Sequence, residues 1–136
     1  MAQTFPLQIV DMDGLAYEGE AVRLILRTVH GNVAILARHI NYCTPIGMGT
    51  ARVILEDGTE RTAACIGGMC SMLENECHLL PTTWEWSEDI DIERAEAARD
   101  RAEQQLREAA ALSEEARIRT ESKLYRALVR IGSAKQ

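Results

Sequence analysis

The sequence predicts a mainly β N-terminal sandwich or barrel of short strands, followed by a C-terminal α-helical hairpin. Three observations carry this. Short runs of strand formers recur through the first 80 or so residues, divided by turn signals. The stretch "IDIERAEAARDRAEQQL", Ile90 to Leu106, then switches the chain to alanine and charge, with hardly a turn residue. From there apolar positions recur every three or four residues, the helical period. The boundary falls near Trp86, giving a β domain over 1–86 and a two-helix domain over 87–136.

The β half reads in order as "FPLQIV", "LAYEG", "AVRLILRTV", "NVAIL", "ARVIL", "RTAACI", "CSML" and "CHLL". Between them lie "DMDG", "HGN", "PIGMG", "EDGTE", "IGG" and "ENE". Asp57-Gly58 marks a hairpin turn, because both residues tolerate the positive φ such turns require. No helical segment interrupts the strands, so antiparallel pairing is expected. Gly67-Gly68 precedes no lysine and opens no helix, which makes it a bend in a strand and not a phosphate loop. Trp84 and Trp86 stand where strands give way to helices and are expected to pack the helices onto the domain.

The first helix is expected to begin at Ser87-Glu88-Asp89, where a hydroxyl or carboxylate can cap it. Ala95, Ala98, Ala102, Leu106 and Ala109 share one face, and Glu103 and Arg107 form an i,i+4 pair opposite. Ser113 with Glu114 and Glu115 starts a second helix. Leu124, Ala127, Leu128 and Ile131 form its apolar stripe, and Gly132 is expected to end it. Alanine buries little area per residue, so such a hairpin is held weakly.

Composition excludes several classes. The 136 residues are 46% hydrophobic and 26% charged, a globular balance, with aromatics at 4%. A net charge of −6 argues against nucleic acid, which needs a basic face. Residues 113–136 carry six basic and three acidic side chains, so the tail is +3 against −9 for the remainder. It reads as a solvated face or as a helix seeking an acidic partner. No apolar run nears the roughly 18 residues a membrane span needs, and "MAQTFPLQIVDMDG" lacks the pattern of a secretory signal. A cytosolic chain with reduced cysteines is expected.

Cys65, Cys70, Cys77 and His78 have the spacing C-x4-C-x6-C-H, without the short knuckles of structural zinc sites. Their strand-like setting suits buried thiols better than a metal, and Cys43 stands apart. His30 and His39 lie in turn-like stretches with no nucleophile motif beside them. The arginines are more informative. Arg94 follows Asp91 by three residues, and Arg126 and Arg130 are one helical turn apart. A folded hairpin would bring all three together. Guanidinium groups bind phosphate well, and Glu85 or Asp91 would accept from an amino or hydroxyl group of a ligand. On the residues alone this is a nucleotide pocket or a set of interhelical salt bridges, the latter being the simpler reading.

Five segments, in order, resemble the epsilon subunits of bacterial F-type ATP synthases. They are "LQIVDMDGLAYEGEA"; "HGNVAILARHINYCTPIGMG", similar to G-x-x-G-I-L-x-x-H-x-P-L; "CIGGMCSMLENECHLL", similar to V-x-G-G-x-x-E-V; "IDIERAEAA", similar to [IL]-D-x-x-R-A; and "LYRALVRI", similar to L-x-R-A-x-x-R-L. The resemblance covers nearly the whole chain. It implies a sandwich of about ten short strands. It implies a non-catalytic subunit at the cytoplasmic face of the cell membrane, not inserted in it. That subunit would bind gamma and the membrane rotor ring within the central stalk, which couples proton (or sodium) flow to ATP synthesis. The hairpin would be a switch. Extended, it would reach the alpha and beta subunits and block ATP hydrolysis; folded, it would bind ATP as a regulatory ligand through Glu85, Asp91, Arg94, Arg126 and Arg130. Ring contact would fall to His30, Asn32, Arg38 and His39. The chain departs from the family at Asn32, at Ala34, in Arg38-His39-Ile40-Asn41-Tyr42, where no proline occurs, and at Ser71. Those changes imply rebuilt ring contacts and a divergent or secondary synthase. A stand-alone nucleotide-sensing module is the other reading of the same residues.

Overall fold

In the computed structural model, which describes residues 3–108 and 113–134, seven strands lead into two helices. The strands are β1 (Phe5–Asp11), β2 (Gly14–Thr28), β3 (Gly31–Leu36), β4 (Tyr42–Pro45), β5 (Met48–Leu55), β6 (Glu60–Leu73) and β7 (Glu76–Trp86). Three of them are long because each turns a corner and serves both layers of a sandwich. One layer holds β4, the second half of β6, the first half of β7, β1 and the first half of β2. The other holds β3, the second half of β2, β5, the first half of β6 and the second half of β7. Seven strands thus fill ten sheet positions, which reconciles the short runs in the sequence with the longer strands observed. "LAYEG" and "AVRLILRTV" are the two arms of β2. "RTAACI" and "CSML" are the two arms of β6.

The corners have local causes. In β2 the register shifts between Ala21 and Arg23, where Ala21 pairs with both β1 and β5. In β6 the corner is Gly67-Gly68, with φ of +69° and +106°. Gly68 lies opposite Pro81 of β7, and a Cβ there would overlap the Leu80 carbonyl oxygen and come within 2.6 Å of Pro81 Cα. Only glycine fits, for space as much as for dihedral freedom. Closure comes from β1, which pairs antiparallel with β2 and parallel with β7. That parallel pair departs from the all-antiparallel expectation. It needs no crossover helix, since most of the domain itself runs between its two strands.

Alternation along the strands fills the interior with Phe5, Leu7, Ile9, Leu24, Leu26, Ile35, Val53, Met72 and Leu79, all under 2% exposed. Each fully buried aliphatic contributes about 2 kcal/mol. The Asp57-Gly58 turn forms as read: Gly58 has φ of +88°, and Thr59 N donates to Asp57 Oδ1 at 2.8 Å.

The β7 alternation overturns one expectation. Trp84 and Trp86 point inward, not at the helices. Trp84 belongs to the sandwich core, its ring centroid 5.2 Å from that of Trp86, and Trp86 meets Tyr17 edge-on. Glu85, between them, faces the helices instead.

Ser87–Asp89 forms a single 3-10 turn, and the first helix proper, α1 (Ile92–Arg107), starts later than expected. Asp91 is its cap, accepting from Arg94 N at 3.1 Å. Three residues separate that carboxylate from the Arg94 amide, the N-cap geometry, whereas Ile90 is still extended at φ −75°, ψ 126°. Glu103 and Arg107 pair at 3.8 Å as the spacing predicts. Helix α2 (Glu114–Ala134) is capped by Ser113 Oγ, which accepts from Ala116 N at 3.2 Å. Gly132 does not end it. The helix continues to Ala134 because Ser133, fully buried, bonds to the sandwich. The buried stripe of α2 is Thr120, Ala127, Ile131 and Ser133, while Leu128 is 44% exposed, turned off the seam. Thr120 is accommodated there because its hydroxyl donates to Ala116 O at 2.8 Å. On α1, Ala95 and Ala102 are buried and Ala98 and Leu106 half-buried; Ala109 lies outside the described residues.

A candidate anion cleft between the two helices

Helix α1 packs chiefly on α2, and α2 lies along β5 and β6. Two adjoining clefts open along this seam. The larger, about 360 Å³, is lined by Glu85, Asp91, Arg94, Arg101 and Arg130, with Asp89 at its edge. The second, about 280 Å³, holds Arg101, Gln105, Lys123, Arg126 and Arg130. Ala98, Arg101, Ala127 and Arg130 belong to both. The larger cleft is at the low end of the range for small-molecule sites.

Four of the five residues singled out from the sequence therefore share one cleft: Glu85, Asp91, Arg94 and Arg130. Their positions follow from simple spacings. Glu85 projects outward between two inward tryptophans. Asp91 and Arg94 occupy one side of the first turn of α1. Arg130 reaches back over the sheet and donates from Nε to Glu85 Oε1 at 3.1 Å, each side chain about one-third exposed. Asp91 spends Oδ1 on its cap bond, which leaves Oδ2 for the cleft. Arg126 is set apart. It lines the second cleft and is turned onto its own helix, donating to Ser122 Oγ at 3.1 Å and Ser122 O at 3.4 Å.

Arg101 is the residue that sequence reasoning missed. It lines both clefts, and the signal was its place seven residues after Arg94, two turns along the same face. Among the described residues the guanidinium groups of Arg94 and Arg101 make no ion pair. The interhelical salt bridges that the sequence allowed do not form between these helices; the pair that does form, from Arg130 to Glu85, runs from helix to sheet. The clefts hold five cationic side chains and three carboxylates. Five cations over two adjoining clefts, with Arg94 and Arg101 making no ion pair, suit an elongated polyanion.

The other candidates fall elsewhere. His30 and Asn32 lie at the hairpin between β2 and β3, where Thr28 Oγ1 accepts from His30 N at 3.0 Å. Arg38 and His39 lie at the far end of β3, roughly 20 Å of strand away. There Arg38, at φ +62°, donates its N–H to Asn75 Oδ1 at 2.6 Å, and His39 meets Tyr42 edge-on at 5.7 Å. The two sets therefore do not share one end of the sandwich, because a whole strand separates them. The cysteines are divided by alternation: Cys77 is buried, and His78 points out to Gln8 at 3.2 Å. Among the described residues no group of three metal-ligating side chains stands together. Burial pushes the Cys65 thiol up to about 12, and the hydrogen bond with Cys70, together with burial, raises Cys77 too. Cys43 alone is exposed.

The fold and cleft define a class: a corner-turning β-sandwich carrying a helical hairpin with a cationic cleft in its seam. Comparison with known proteins agrees. Residues 4–87 match the family described as ATP synthase, Delta/Epsilon chain, beta-sandwich domain, and residues 88–135 match its long alpha-helix domain. The ATP synthase epsilon chain of Caldanaerobacter subterraneus subsp. tengcongensis is 36% identical over 96% of this chain and 94% of its own length. That of Shouchella clausii is 36% identical over 97% and 96%. The sodium ion specific epsilon chain of Acetobacterium woodii is 34% identical over 75% and 77%. In fold, the chain is similar to one in the Euglena gracilis mitochondrial ATP synthase, with a TM-score of 0.83 at 20% identity, covering 100% of this chain and 83% of that one. The chain belongs to the epsilon subunits of the F-type ATP synthase. No described helix is long and apolar enough to cross a membrane.

Proposed function

We propose that this chain is a non-catalytic, regulatory part of the central stalk, held at the cytoplasmic face of the membrane, and that its hairpin is a nucleotide-controlled brake on ATP hydrolysis. In this reading the folded hairpin binds ATP in the cationic clefts. The triphosphate runs along Arg94, Arg101, Arg126 and Arg130, and Glu85 or Asp91 accepts from the adenosine. The observation that carries it is the convergence of Glu85, Asp91, Arg94 and Arg130 on one cleft, with two guanidinium groups lacking ion-pair partners. ATP that binds only the folded hairpin shifts the balance toward that state by its differential affinity and no more.

The stalk partner, gamma, has a fitting surface. The outer face of the layer built on β1, β4 and the first half of β7 carries no helix. A row of apolar side chains crosses it: Val10, Leu80 (53% exposed), Met69 (42% exposed) and Pro45. Glu18, Glu20 and Glu76 line a neighbouring groove with Gln8 and His78, so a partner segment that joins an apolar ridge to a basic stretch complements this side of the sandwich. Contact with the rotor ring falls to His30 and Asn32 on the β2–β3 loop, whereas Arg38 and His39 stand at the opposite end of β3 and do not share that contact. The extended hairpin reaches the alpha and beta subunits.

Calorimetric titration of the isolated chain with ATP tests the nucleotide reading. Saturable binding is expected, weakened at least tenfold in Arg94→Ala and Arg130→Ala. Absence of saturable binding at millimolar ATP would overturn it and leave the clefts as a solvated seam. Isolation of a tagged copy from detergent-solubilised membranes decides between stalk subunit and stand-alone nucleotide sensor, since only the former brings gamma, alpha and beta with it.

A further inference from the structure

The side-chain bonds between α2 and the sandwich fall on one row of the sheet. Thr50 of β5, Ala64 of β6 and Glu85 of β7 are cross-strand neighbours in register. Both polar members of that row bond to the last two turns of α2. Glu85 takes Arg130, and Thr50 takes Ser133, Oγ1 to Oγ at 2.8 Å. These contacts differ in kind. The ion pair is about one-third exposed on each side, so water competes for both partners. Ser133 is fully buried, and no water replaces Thr50 while the helix is down. The apolar contribution of the sheet beneath is small: on β6, Ala64 and Ile66 are the buried residues outside the sandwich core.

We infer that the hydroxyl pair of half-buried Thr50 and fully buried Ser133 is the clasp that sets how often the hairpin leaves the sandwich. It also positions the cleft. Ser133 and Arg130 are three residues apart on one face of α2, so pinning the last turn seats Arg130 on Glu85 and fixes one wall of the nucleotide site. Thr50 is a positioning residue that touches neither the cleft nor a ligand. The clasp concerns the empty protein and stands whether or not the cleft takes ATP. It explains why α2 runs past Gly132: the helix must continue for Ser133 to reach the strand.

Hydrogen exchange on the full chain, without nucleotide, tests it. Thr50→Val keeps the β-branched shape and removes the hydroxyl, leaving Ser133 buried without a partner. Amides of α1 and α2 are expected to exchange about tenfold faster, with β1 and β6 unchanged. Because the substitution is on a strand, its effect on helix amides must pass through the contact. Adding Ser133→Ala removes both hydroxyls and is expected to bring exchange back to within about threefold of the parent. Glu85→Gln, weakening only the exposed ion pair, is expected to change it less than threefold. Unchanged helix exchange in Thr50→Val, acceleration spread over the sandwich, or a double variant as fast as the single one would each overturn the inference. None of these outcomes depends on nucleotide binding, which the titration judges separately.

Discussion

Arg101 touches both clefts and makes no ion pair of its own, so its side chain is available to a ligand at little structural cost. Arg101→Ala is therefore expected to weaken ATP binding by about ten- to a hundredfold in the same titration, with the thermal midpoint of the empty protein unchanged. Its role was hidden in the sequence because charged residues surround it on α1, and spacing alone does not say which of them face a neighbour. The cysteines show the reverse. Their burial was legible from their strand-like runs, and its chemical consequence has a sign. The folded state holds the Cys65 proton up to about 12, whereas a free thiol releases it near 9.0. Stability from this group is complete below pH 9 and is lost as pH rises toward 12, because the unfolded chain then binds fewer protons. A thiol reagent at pH 8 is expected to label Cys43 alone in the native chain and all four cysteines after denaturation.

The sequence splits β6 into two runs because its corner looks like a turn. Gly67-Gly68 breaks the pattern of β6 as a loop would, yet the chain stays hydrogen-bonded to β7 on both sides of it. Gly68→Ala forces a Cβ into the β7 backbone at a φ that side chains avoid. It is expected to lower sandwich stability by about 3 kcal/mol or more in a denaturant titration, whereas Gly132→Ala, with open space around the added carbon, is expected to be neutral or stabilising. The helix boundaries turned on single bonds. Asp91 wins the cap over Ser87 and Asp89 because its carboxylate is in reach of the Arg94 amide. Gly132 fails to stop α2 because the buried bond of Ser133 outweighs the propensity cost of glycine, about 1 kcal/mol.

For the molecule as a whole, the two layers of the sandwich are put to different uses. One outer face seats α2, and the other carries the exposed apolar row proposed as the gamma surface. Leu80→Glu alters only that second face. It is expected to leave folding within about 0.5 kcal/mol of the parent and to reduce recovery of gamma, alpha and beta with a tagged copy. Full recovery would move the stalk interface elsewhere on the subunit. The hairpin belongs to this scale as well: helices joined to the sandwich through an alanine-rich seam and a few polar bonds are held by little area, which is what the proposed switch requires.

By itself the sequence determined the division into sandwich and hairpin, the turn at Asp57-Gly58, Cys65, Cys70 and Cys77 as interior thiols and the placing of Asp91 with Arg94 on one helical turn, since all are local: a period, a turn dipeptide, a spacing along one helix. Only the tertiary structure decided that three strands serve two layers, that the tryptophans turn inward while Glu85 turns out, that Arg101 joins the cleft and that Ser133 fastens α2 to Thr50. Those facts rest on which surfaces meet across 45 or 83 residues of chain, and no local pattern carries that information.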